Sequence, residues 1–96
     1  MIKTFASKMV EHLFDGVSSR YTRKFSNKLH SIAIRKLDQL NAVTKVESLN
    51  IPPNNRLEKL KGNLENYWSI RINKQYRIIF RWIDSDSYDV DIVDYH

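Results

Sequence analysis

Ninety-six residues set a limit of one hydrophobic core, because a chain this short cannot enclose a second, so residues 1–96 are read as a single domain. Hydrophobic residues make up 42% of it, with two Trp, four Phe and five Tyr, and the lack of cysteine excludes disulfides, thiolate nucleophiles and cysteine-based zinc sites together. Sixteen Lys and Arg against eleven Asp and Glu leave +5, which suits solubility or a polyanionic partner, while the absence of a long apolar run or apolar leader points to a soluble, cytoplasmic protein without membrane contact.

In chain order, residues 2–5 read as a short edge strand. Ser7 reads as the N-cap of a helix carrying Met9, Val10, Leu13 and Phe14, ended by Gly16. From Tyr21, the residues Phe25, Leu29, Ile32, Ala33, Leu37 and Leu40 recur at helical spacing, so a longer helix is expected from there. Lys24, Lys28, Arg35 and Lys36 flank its apolar stripe, ordinarily a sign of solvent exposure. Pro52 and Pro53 break regular structure. Period-two segments follow, which gives an α+β fold with N-terminal helices packed on one face of a small, mainly antiparallel sheet.

Register decides which side chains share a face. With Asn73, Lys74 and Gln75 as a hairpin turn, Ile72 pairs with Tyr76, Ile70 with Ile78 and Trp68 with Phe80, an apolar face for the helices. The other face then pairs Arg71 with Arg77, Ser69 with Ile79 and Tyr67 with Arg81. Two arginines in opposition repel, and a phosphate would relieve them. Residues 84–87 form the next turn, after which Arg81 meets Asp89 in a structural salt bridge, while Arg77 faces Val93 and keeps its charge free.

Cleaving RNA without a metal needs a base for the 2′-hydroxyl, positive charge for the phosphorane oxygens and an acid for the leaving oxygen. The last strand runs into Asp94, Tyr95 and His96. His96 suits acid or base because imidazole titrates near neutrality, and Asp94 beside it favours the charged form. Arg77 offers a bidentate fork to phosphate. Tyr95 can donate a proton or stack on a base. His12 and His30 lie in helical segments and read as ordinary half-buried histidines. No metal site and no cofactor are expected. Residues 55–62 bring Arg56, Lys59, Lys61 and Glu58 to the entry of the sheet; Arg56 and Lys59, with Arg71 and Lys74 beyond, are the RNA-binding candidates.

Several stretches together resemble the HigB toxins of the RelE/ParE superfamily: Met1-Ile2-Lys3-Thr4-Phe5, Pro52-Pro53-Asn54-Asn55-Arg56-Leu57-Glu58, Leu60-Lys61-Gly62, Tyr67-Trp68-Ser69-Ile70-Arg71-Ile72-Asn73, Tyr76-Arg77-Ile78 and Val93-Asp94-Tyr95-His96. The resemblance implies a microbial-ribonuclease-like domain of a type II toxin-antitoxin system. Such a domain cleaves messenger RNA in the A site of the 70S ribosome and is neutralised by a HigA-type helix-turn-helix antitoxin, with operator DNA reached only through that antitoxin. It favours Asp94, Tyr95, His96, Arg77 and Lys61 as the active cluster. Some relatives carry histidine where this chain has Glu58, so Glu58 is a further candidate base, and the assignment of acid and base among His96, Tyr95 and Glu58 stays open. The alternatives are a binding toxin without catalysis, as in the gyrase-poisoning branch, or a degenerate co-repressor.

Overall fold

The computed structural model describes residues 1–94. Helix α1 spans Lys8–Asp15. Ser7 caps it, its Oγ accepting from the Val10 N–H at 3.3 Å, and Gly16 closes it in the left-handed region at φ 73°, a conformation that costs a residue without Cβ little. Helix α2 spans Asn27–Ala42 and starts later than the periodicity predicts. Ser19 and Thr22 explain the delay: the Ser19 N–H donates to Thr22 Oγ1 at 3.0 Å and the Thr22 hydroxyl donates to the Ser19 carbonyl at 3.0 Å. These local bonds compete with helix formation. They leave a single 3-10 turn at Thr22–Lys24 before Phe25 turns extended.

Four antiparallel strands follow: β1 (Glu58–Lys59), β2 (Tyr67–Arg71), β3 (Tyr76–Ile83) and β4 (Asp86–Asp94), side by side in that order. The β2–β3 register is the expected one, with Trp68 opposite Phe80, Ile70 opposite Ile78 and Arg71 opposite Arg77. Asn73 builds that turn, its Oδ1 accepting from the Gln75 and Tyr76 N–H groups at 2.9 and 2.8 Å. The β3–β4 turn is tighter than expected. Asp84 and Ser85 both have positive φ, 50° and 69°, the geometry of a two-residue hairpin loop whose twist matches the strands.

One expected pairing is corrected. Arg77 does face Val93, but the register slips between Ile79 and Arg81, so Arg81 lies opposite Tyr88 rather than Asp89. The extra residue is accommodated at Asp89, φ 52°, whose N–H leaves the ladder to donate to Thr4 Oγ1 at 2.7 Å. The ion pair forms all the same, with Arg81 Nε 2.8 Å from Asp89 Oδ2. Thr4 belongs to the N-terminal segment, which runs parallel to β4 through bridges Ile2 to Ser87 and Phe5 to Val90. It covers an edge that would otherwise expose unpaired backbone groups.

The core lies between the helices and one sheet face. Val10, Leu13, Ala33, Leu37, Leu40 and Leu49 pack with Ile70, Ile78, Phe80, Val90 and Ile92. No helix among the described residues is long and apolar enough to cross a membrane.

Candidate functional site

On the other sheet face, the end near the β2–β3 turn forms a cleft of about 250 Å³ lined by Arg56, Glu58, Arg71, Asn73, Lys74 and Arg77. Sequence alternation puts Ser69, Arg71 and Arg77 on this side, and β1 adds Glu58 through its pairing with Ser69. Arg77 is only 6% exposed. Its Nε donates to Ser69 Oγ at 2.7 Å, its Nη2 donates to the Arg56 carbonyl, and its Nη1 lies 3.8 Å from Glu58 Oε1. The expectation of an unengaged Arg77 is therefore corrected: the guanidinium is held on three sides, which fixes its plane. Arg71 opposite it donates from Nε to the Asn73 carbonyl at 3.0 Å. Each of the two like charges is thus tied to a carbonyl oxygen.

Behind this cleft lies Lys36 of α2, 8% exposed, its ammonium donating to the Arg71 carbonyl. Burial lowers its pKa, and the positive charges of Arg35, Arg71 and Arg77 lower it further. Four guanidinium or ammonium groups line the cleft with one carboxylate, an arrangement that attracts anions.

The cleft gathers Arg77, Glu58, Arg56, Arg71 and Lys74 from the sequence candidates. Three others go elsewhere. Lys59 pairs with Trp68 and its Nζ sits 4.9 Å over that ring, on the helix side. Lys61 is exposed at the head of the 3-10 turn Gly62–Leu64. Asp94 pairs with Tyr76, so its side chain leaves on the face opposite Arg77, where its Oδ2 accepts from Gln75 Nε2 at 2.9 Å. Tyr95 and His96 lie outside the described residues. His12 and His30 have local roles: His12 Nδ1 is 2.8 Å from Ser19 Oγ, and His30 Nε2 donates to the Phe25 carbonyl at 2.9 Å. Among the described residues no group of three or more His, Asp or Glu is placed to hold a metal ion.

Sequence reasoning missed Ser69 as the partner that orients Arg77, although it lies between Trp68 and Ile70 and is the one aliphatic hydroxyl in β2. It also gave Asn55 no structural role. That side chain is fully buried and pins the loop after Pro53 by donating to the Leu49 carbonyl and Gln39 Oε1.

The family model for the RelE-like toxin of the type II toxin-antitoxin system HigB matches residues 3–96. The chain belongs to the HigB-like toxin family. It is 39% identical over 84 residues to Toxin HigB-1 of Vibrio cholerae, covering 88% of this chain and 86% of that one. To Endoribonuclease HigB of Proteus vulgaris it is 33% identical over 97 residues, covering both chains in full. Among solved structures, a chain of the heterotetrameric YoeB-YefM toxin-antitoxin complex from Staphylococcus aureus matches with TM-score 0.54 at 21% identity, over 100% of this chain and 98% of that chain. The YoeB/ParE toxin from Agrobacterium tumefaciens matches equally well in fold, TM-score 0.54, at 16% identity over 98% and 99%. The α+β expectation and the HigB resemblance both hold.

Proposed function

We propose that the protein is the endoribonuclease toxin of a type II toxin-antitoxin pair, cutting messenger RNA in the ribosomal A site and silenced by a HigA-type antitoxin through which alone it reaches operator DNA. The observation that supports this most is the immobilised Arg77 at the floor of a cationic cleft with one carboxylate beside it. In-line attack by a ribose 2′-hydroxyl on the adjacent phosphorus forms the new O–P bond and breaks the bond to the 5′-oxygen. A base takes the hydroxyl proton, an acid returns one to the leaving oxygen, and a 2′,3′-cyclic phosphate results. Arg77 is assigned the developing negative charge on the phosphorane, for which a fixed donor needs no reorganisation. Arg56, Arg71 and Lys74 are assigned the flanking phosphates. Glu58, Tyr95 and His96 are our candidates for base and acid, with Lys61 as a supporting cation. Asp94 is assigned to holding the end of β4 to the hairpin through Gln75.

The test uses ribosomes programmed with labelled messenger and the toxin. Cuts inside the A-site codon are expected, and a 2′-deoxy nucleotide at the cut should abolish them. An intact messenger with wild-type toxin, or equal cutting of the deoxy messenger, overturns the reading; so would gyrase inhibition with all RNA intact.

A further inference from the structure

The loop that carries Arg56 has a second cavity on its other side. It measures about 290 Å³ and is lined by Arg35, Lys36 and Gln39 of α2 and by Pro52, Asn54 and Asn55. Two features mark it as a polar binding site. First, Lys36 is more than nine-tenths buried, yet its described acceptor is one carbonyl, that of Arg71, although an ammonium has three donors; beside it Arg35 is exposed.

The second feature is an orphaned acceptor. Gln39 Nε2 donates to the Ile51 carbonyl, which forces Gln39 Oε1 to accept from Asn55 Nδ2, and Asn55 Nδ2 also donates to the Leu49 carbonyl. Carbonyls only accept, so neither amide can be flipped, and Asn55 Oδ1 remains buried with no donor among the described residues. Such atoms are rare and call for a partner. Asn55 Oδ1 is closed to solvent as the loop stands, so a hydroxyl reaches it only when residues 54–56 give way; with two cations beside it, the site suits a ligand bearing both anionic oxygens and a hydroxyl, as a ribonucleotide does.

The two cavities share a partition. Arg77 Nη2 binds the Arg56 carbonyl on one side, and Lys36 binds the backbone of Arg71, whose guanidinium lines the first cleft, on the other. We infer that the cavity of Arg35, Lys36 and Asn55 is a second nucleotide subsite, taking a phosphate on the two cations and a ribose hydroxyl at Asn55, so that one RNA strand crosses the loop at residues 54–56. This rests on the proposed RNA-cleaving role of the first cleft. The lowered pKa of Lys36 fits an ammonium awaiting an anion.

The test is fluorescence anisotropy of the full chain with a labelled single-stranded RNA heptamer, the matching DNA heptamer and an RNA dinucleotide, across a salt series. Arg35→Glu alters an exposed residue and leaves the core intact. It is expected to weaken the RNA heptamer about tenfold and to flatten its log–log salt dependence by about 0.7, one phosphate on a single strand, while dinucleotide binding is unchanged. Wild type should hold RNA more tightly than DNA. Arg71→Ala, the control for the first cleft, should weaken both RNAs. Unchanged heptamer affinity and slope in Arg35→Glu, or equal binding of RNA and DNA, overturns the inference while the Arg71→Ala effect preserves the parent reading. Loss of antitoxin affinity alone in Arg35→Glu also overturns it. If Arg71→Ala is silent too, the first cleft is the part that fails.

Discussion

Strands β2 and β3 present two different surfaces. Toward the helices, Ile70, Ile78 and Phe80 are fully buried and belong to the apolar core. On the opposite face, one residue away along each strand, Arg71 and Arg77 line an open cleft with Glu58, and Ser69 holds the Nε of Arg77. Burial is not what separates the faces, since Ser69 and Arg77 are nearly as inaccessible as Phe80. The difference is directional: apolar contact has no preferred orientation, whereas Arg77 is aimed by hydrogen bonds to Ser69 and Arg56. One face holds the chain folded, and the other holds a charge still.

The largest expected effect separates these roles on the core side. Phe80→Ala removes a fully buried ring and should cost about 3–5 kcal/mol by urea denaturation, while the cutting rate per folded molecule stays near wild type; a rate that falls with stability intact would erase the distinction. Ser7→Ala should cost about 1 kcal/mol by loss of the α1 cap, with no change in cutting.

Lys36 gives a prediction in pH. Its folded-state pKa lies below the ordinary lysine value of 10.5, so on raising pH the folded protein releases this proton before the unfolded chain does. The unfolded state binds more protons in that window, and stability therefore gains from Lys36 as pH rises from the folded value toward 10.5. Subtracting the Lys36→Met stability curve from the wild-type curve should expose this rise; a flat difference would show that the ammonium is not destabilised where it sits. The smallest effect belongs to Arg81 and Asp89, both more than a third exposed. A double-mutant cycle should return about 0–1 kcal/mol of coupling, and a much larger value would mean the bulge depends on the pair.

Sequence alone reveals the two faces because period-two alternation survives folding: Ile70 to Ile78 and Arg71 to Arg77 are opposite as read. Asp94 was grouped with Arg77 by the family resemblance, although alternation, with Arg77 opposite Val93, puts the next residue on the other face. The bulge at Asp89 was hidden because it depends on a hydrogen bond to Thr4, 85 residues away. The clamp on Arg77 was hidden for the same reason, as the Arg56 carbonyl comes from a loop fixed by Asn55 and α2. The delayed start of α2 was within reach, because Ser19 and Thr22 are the residue types that bond their own backbone instead of a helix.

The most direct measurement is the single-turnover rate at which Arg77→Lys cuts ribosome-bound messenger, compared at saturating toxin with wild type. Lysine keeps the positive charge but not the planar fork that Ser69 and Arg56 hold in place. A rate about 10²–10³-fold lower, with ribosome binding and folding retained, is the expected result. An unchanged rate would contradict the assignment of this face to the chemistry.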